Sequence, residues 1–191
     1  MQALINRIKK SGRILPGNIL KIDSFLNQQI DPQLLDAIGR EFARHFQKLN
    51  VTKVITIEAS GIVPAYTTAL HLGVPMVFAR KKRSKTMNDA VLTANVYSYT
   101  KKVNNQINVS RRLISPDDKL LIIDDFLATG QAVKGLLQIA REAHAQVSGI
   151  GEVVEKRFQS GHRLVMKTGL PYVALAKIAS LENGKVKFAR N

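Results

Sequence analysis

An α/β fold with a parallel sheet at its centre is predicted by three features of this 191-residue chain. Strand-like runs (KVITIE, VPMVFA, KLLIID and VSGIGEVVE) alternate with segments of helical periodicity, the order produced when helices carry a chain between parallel strands. KLLIID has no polar face, as a strand buried on both sides requires. The apolar runs are also short: the longest suits a strand, and none approaches the ~20 residues that span a bilayer.

Each element has a local reason. Residues 1–11 read as a short amphipathic helix stopped by Gly12. Asp31-Pro32 joins an N-cap to a first-turn proline. Behind it Leu34, Leu35, Ile38, Phe42, Phe46 and Leu49 recur at helical spacing, and Asn50 closes the helix. KVITIE is a strand that runs into the turn Ala59-Ser60-Gly61; the following helix reaches about residue 72 and ends at Gly73, before the strand VPMVFA. Residues 91–114, rich in β-branched and aromatic side chains, predict an antiparallel pair turning around Asn104-Asn105. After KLLIID, Gln131 to about His144 is helical and VSGIGEVVE is a strand. The chain finishes with strands joined at Asn183-Gly184, a good hairpin dipeptide. No repeat or low-complexity linker divides it, so residues 1–191 are expected to form one domain.

Composition narrows the chemistry. A hydrophobic fraction of 45% argues against disorder. With no cysteine, disulfides and thiolate catalysis are excluded. His45, His71, His144 and His162 form no zinc-binding spacing, and Gly149-x-Gly151 lacks the third glycine of a dinucleotide fingerprint. The opening MQALINRIKKSG lacks the apolar centre of a signal peptide, which predicts a cytoplasmic chain without a membrane partner. The triplet Asn108-Val109-Ser110 is then incidental. Twenty-nine basic against fourteen acidic residues give a net charge of +15 and call for an anionic partner: nucleic acid, nucleotide or pyrophosphate.

The stretch LLIIDDFLATGQA, residues 120–132, concentrates the chemistry. In a parallel sheet, ligands sit at the carboxyl ends of the strands. There the backbone N–H groups of Ala128, Thr129, Gly130, Gln131 and Ala132 open a helix and can converge on a phosphate, which the helix dipole also favours. Asp124 and Asp125 repel phosphate; they suit hydroxyl groups of the same ligand, or a magnesium ion attached to it. A sugar phosphate satisfies both halves. A greasy strand ending in acids also occurs in ATPases, but the G-x-x-x-x-G-K-[ST] loop they need is missing.

LLIIDDFLATGQA resembles the phosphoribosyl-pyrophosphate motif of type I phosphoribosyltransferases, and the resemblance extends over nearly the whole chain, most closely to the bacterial enzymes acting on xanthine. IEASGIVPA resembles their pyrophosphate-binding loop, and VFARKKRSK the basic lead into the flexible catalytic loop of the adenine-type subgroup. Hypoxanthine–guanine enzymes carry an aspartate where this chain has Ala128, a departure that favours the adenine- and xanthine-like branch.

What the resemblance implies can be set beside what the residues alone say. Arg80, Lys81, Lys82, Arg83 and Lys85 alone would be a solvated or nucleic-acid face; beside a sugar-phosphate loop, Arg80 and Lys81 become candidates to stabilise departing pyrophosphate. Ser60 and Gly61, otherwise a plain strand-to-helix turn, are implied to face pyrophosphate through a strained peptide. Lys156, usually solvated at a strand end, is implied to contact xanthine, whose exocyclic oxygens suit an ammonium donor. Leu20 would be read as core and Asn27 as a turn residue, yet both match base-contacting positions in a small hood to which residues 1–30 contribute. The family further implies magnesium carried by the substrate and a homodimer. The other class that the charge admits, a nucleic-acid-binding regulator, is disfavoured because residues 1–30 leave no room for a winged helix.

Overall fold

The computed structural model describes residues 1–82, 90–98 and 103–189. The chain opens with helix α1 (Gln2–Ser11), which buries Leu4 and Ile8. A hairpin follows, β1 (Arg13–Leu15) against β2 (Ile19–Lys21), then a π-helical turn over Asp23–Asn27. Helix α2 (Pro32–Phe46) starts as its sequence directs: the Asp31 side chain accepts from the Leu34 N–H at 3.1 Å. The same carboxylate pairs with Arg7, tying the N-terminal helix to this cap. Beyond Phe46 the helix tightens into a 3₁₀ turn, Gln47–Leu49, and Asn50 ends it in the left-handed region at φ 50°.

Strand β3 (Lys53–Ile57) leads into α3 (Ile62–Leu72), and Gly73 closes that helix at φ 70° before β4 (Met76–Ala79). An antiparallel pair, β5 (Val91–Ser98) and β6 (Val103–Ser110), precedes β7 (Lys119–Leu127). Then come α4 (Gln131–Ala143), β8 (Gln146–Lys156), the short α5 (Gly161–Met166), β9 (Tyr172–Ser180) and β10 (Lys187–Phe188). The central sheet has six strands in the order β10-β9-β8-β7-β3-β4, parallel except for β10 at one edge.

Both faces of this sheet are covered, which is why β7 carries no polar face along its first half. On one side Leu121, Ile123 and Val153 share a core with Phe42 and Phe46 of α2, with α3, and with Leu20, Ile22, Phe25 and Leu26 of the N-terminal segment. On the other, Leu120, Ile122 and Ile150 pack with Leu136 and Ile139 of α4. The parallel α/β fold and the elements flanking KLLIID agree with expectation.

Three expectations are corrected. Asn104 and Asn105 are not a turn: they lie inside β6, opposite Tyr97 and Val96. The register follows from Leu92, Ala94, Ile107 and Val109, all buried, and burial outweighs a turn preference that lacks a glycine. Likewise, β9 and β10 are joined by a longer connection with a 3₁₀ turn at Glu182–Gly184, not by a two-residue hairpin. Finally, β7 does not stop at the first acid but pairs with β8 as far as Leu127↔Glu155, so Asp124 and Asp125 lie within the strand. The hairpin β1–β2, the π-helical turn and α5 leave no mark in the sequence, each being too short to show a period.

Candidate active site

The end of β7 forms the floor of a cavity of about 710 Å³. Asp124 is only 6% exposed, and its Oδ1 accepts from the Asp125 N–H at 3.0 Å. Burial raises the Asp124 carboxyl well above the usual range, and the neighbouring Asp125 charge raises it further. Asp125 is raised as well, chiefly by burial, against which hydrogen bonds from Asp124 and the backbone act. Two carboxylates this close titrate as a pair, and Lys81 opposes the rise at both.

Beyond the acids, Ala128 to Ala132 line the same cavity. Gly130 stands at φ 81°, a conformation that costs glycine little, and α4 begins at the next residue without a side-chain cap. Uncapped N–H groups at a helix start, with the dipole behind them, suit an anion.

The turn after β3 forms a second wall. The Glu58–Ala59 peptide is cis, and Ala59 and Ser60 line the cavity. Gly61 does not line it; a Cβ there would lie 2.2 Å from Thr56 Oγ1 and 2.6 Å from Asp124 Oδ1, so this glycine makes room for the acid. Lys81 lines the cavity, and its N–H donates to Glu58 Oε1 at 2.7 Å. Arg80 stands behind: its Nε lies 3.6 Å from Glu58 Oε2, and its backbone bonds in both directions with Asn108. Asn108 is 2% exposed in that bridge, which removes it as a glycosylation acceptor. Arg83 and Lys85 lie outside the described residues.

At the far end Lys156 closes β8, its Nζ 5.6 Å from the Phe126 ring centroid. Burial lowers its pKa, and no acid pairs with it among the described residues. Asn27 reaches across from the π-helical turn, donating Nδ2 to Asp125 Oδ2 at 3.2 Å, while its buried Oδ1 has no hydrogen-bond partner among the described residues. Leu20, 5% exposed, sits in the core beneath; its hairpin neighbours Gly17, Asn18 and Ile19 line the cavity instead.

Of the residues singled out from sequence, Ser60, Lys81, Asp124, Asp125, Lys156 and Ala128 to Ala132 therefore share one cavity. Leu20, Asn27, Gly61 and Arg80 support it from behind. Sequence reasoning passed over Phe126, which supplies the aromatic wall; a phenylalanine placed directly after paired acids was the available signal. It also missed Glu58, and Glu152 on β8, which is fully buried opposite Asp124.

Comparison with known proteins decides the family. The phosphoribosyl transferase domain matches residues 27–167. The chain belongs to that family. Among relatives of this phosphoribosyl transferase, the xanthine phosphoribosyltransferase of Levilactobacillus brevis is 54% identical over 191 residues, covering 100% of both chains. That of Listeria monocytogenes is 56% identical over 188 residues, 98% of each. In fold, this phosphoribosyl transferase is similar to the adenine phosphoribosyltransferase of Rhodothermus marinus, with a TM-score of 0.75 and 22% identity over 93% of this chain and 100% of that one. The Giardia lamblia enzyme complexed with 9-deazaadenine gives a TM-score of 0.77 at 22% identity, over 91% and 97%.

Proposed function

We propose that the protein transfers the 5-phosphoribosyl group from phosphoribosyl pyrophosphate to N9 of xanthine, giving xanthosine 5′-monophosphate and pyrophosphate in purine salvage. The observation that carries this is the single cavity in which a phosphate turn, two adjacent acids, a cationic wall and a lysine over an aromatic ring follow one another. The 5′-phosphate takes the N–H groups of Ala128 to Ala132, and the ribose hydroxyls donate to Asp124 and Asp125. Pyrophosphate faces Ser60 and Lys81, with Arg80 behind. The base lies at Phe126, where Lys156 donates to an exocyclic oxygen, while Asn27 acts from behind through its bond to Asp125.

The C1–pyrophosphate bond breaks ahead of bond formation to N9, leaving an oxocarbenium-like transition state. The protein then contributes position and electrostatics: acids beneath the ribose, cations beside the leaving group, and exclusion of water that would trap the cation. Magnesium arrives with the substrate. Among the described residues no group of three or more acids or histidines could hold a metal ion, but Asp124 and Asp125 offer the oxygens that magnesium takes alongside substrate phosphates. When bound, it neutralises charge on the departing pyrophosphate.

We also place this activity in the cytoplasm, which a cysteine-free chain suits, and in a homodimer. Tyr66 and Leu70, one turn apart on α3, are 56% and 59% exposed, and Phe78 on the edge strand β4 is 39% exposed. Such an apolar face fits a second copy of the chain. The deciding assay incubates the protein with each purine, magnesium and phosphoribosyl pyrophosphate. Pyrophosphate release with xanthine is expected, and no release with any purine would refute the proposal. A regulator that binds nucleic acid through the +15 charge would instead show a gel shift that weakens steeply with salt.

A further inference from the structure

Gly161 occupies the first position of α5, on a segment that touches no base or ribose group in the reading above. Its φ is not positive, so its backbone conformation is open to any residue. Space is what demands a glycine. A Cβ there would lie 2.5 Å from the Ala128 carbonyl oxygen, 2.9 Å from Leu127 Cδ1 and 3.0 Å from the Gly130 nitrogen. The contact is reciprocal, for a Cβ on Gly130 would lie 3.2 Å from Gly161 Cα, with Leu164 methyl groups at 3.3 and 3.4 Å. Two glycines thus meet back to back, one in the phosphate turn and one in α5.

Hydrogen bonds fix the orientation of that turn. The Gly161 N–H donates to the Ala128 carbonyl at 2.9 Å, and Ser160 Oγ donates to the Thr129 carbonyl at 3.5 Å. Both peptides are trans, and in a trans peptide the N–H points opposite to the C=O. Drawing the carbonyls of Ala128 and Thr129 toward α5 therefore turns the N–H groups of Thr129 and Gly130 the other way, into the cavity.

We infer that Ser160-Gly161 is the positioning element of the 5′-phosphate site, holding the Thr129 and Gly130 N–H groups toward the ligand through the backs of their peptides. Gly161 contributes by having no side chain. The inference rests on the proposed function only for the name of the ligand; the turn would be oriented in the same way for any sugar phosphate.

The test titrates ribose 5-phosphate and inorganic pyrophosphate separately into the wild type and Gly161→Ala by calorimetry. Displacing the turn by a fraction of an ångström should lower the affinity for ribose 5-phosphate about ten- to hundredfold. Pyrophosphate, which meets Ser60 and Lys81, should bind as before. Unchanged ribose 5-phosphate affinity, or equal weakening of both ligands, overturns the inference. Should Gly161→Ala fail to fold, Leu164→Ala removes the methyl groups behind Gly130. It is expected to cost about three- to tenfold in ribose 5-phosphate affinity alone, and no change would be equally fatal. Neither titration depends on turnover, so a wild type that binds ribose 5-phosphate but transfers nothing to xanthine would sink the proposed function and leave this inference standing.

Discussion

Asn27 and Asp125, 98 residues apart in sequence, are joined by a hydrogen bond of 3.2 Å from Nδ2 to Oδ2. It ties the π-helical turn Asp23–Asn27 to the acids of β7, so the N-terminal segment and the cavity floor form one connected frame. Nδ2 is engaged by Asp125 and Oδ1 is buried, so Asn27 bears on the cavity through the carboxylate it holds.

Asp125→Asn should lower turnover strongly and leave the fold intact. Hydrogen bonds to charged groups are worth roughly 1.5–3 kcal/mol, which corresponds to about a ten- to hundredfold loss. Steady-state kinetics beside a circular-dichroism melt check it; full activity in a folded variant would remove Asp125 from the site.

Lys81→Ala should weaken phosphoribosyl pyrophosphate more than ribose 5-phosphate, because only the former reaches the Ser60 wall. Arg80→Ala should act in the same direction but less, since Arg80 faces Glu58 and not the cavity. Competition binding with the two ligands distinguishes the positions. Equal weakening of both ligands would mean that these cations serve a general surface field.

Lys156→Gln preserves length and polarity and removes the charge, so anionic xanthine should suffer more than neutral guanine. A charge effect of about 1.4 kcal/mol lowers the xanthine-to-guanine ratio of kcat/KM about tenfold. Burial lowers the pKa of Lys156, so in the wild type the ratio should also decline as pH rises, starting below the ordinary lysine range. Assays on both sides of xanthine's ionisation, at constant salt, are needed. A ratio that does not move would show that Lys156 does not select the base.

Glu152 makes a prediction about stability. It is fully buried, neither carboxylate oxygen has a hydrogen-bond partner among the described residues, and burial with the charges of Asp124, Asp125 and Glu155 raises its pKa well above the ordinary glutamate value. The unfolded chain therefore gives up this proton first. Its contribution to stability is full below about pH 4.5 and falls as pH rises toward the folded pKa, by at most ~1.4 kcal/mol per pH unit for one group. Glu152→Gln should flatten that decline, the melting temperatures of the two proteins converging at low pH and separating above about pH 5. Parallel curves across the range would show that Glu152 is not the group responsible.

Local chemistry made most of the scaffold legible. Asp31-Pro32, Asn50 and Gly73 mark helix ends through capping and left-handed conformations that depend on a few neighbouring residues, and each acts where it was read. KLLIID declares its burial because a strand covered on both faces has no place for a polar side chain. LLIIDDFLATGQA is likewise contiguous, so its paired acids and the small-residue turn that follows them are legible without any packing. Where a strand ends is different, since it depends on how far a neighbour goes on offering partners: β8 extends β7 past both acids, and β5 draws Asn104 and Asn105 into a ladder.

The cavity itself could only be decided in three dimensions, because its walls come from segments whose sequence separation says nothing about distance. Asn27 looks like an ordinary turn residue until folding sets it beside Asp125. Leu20 and Gly61 fall behind the surface that their neighbours form, one because a hairpin alternates its sides and the other because a buried acid needs the space. Glu152 and Gly161 carry no motif at all. What distinguishes them is what the sheet and α5 press against them: a carboxylate pair on the adjacent strand, and the back of the turn Ala128–Gly130.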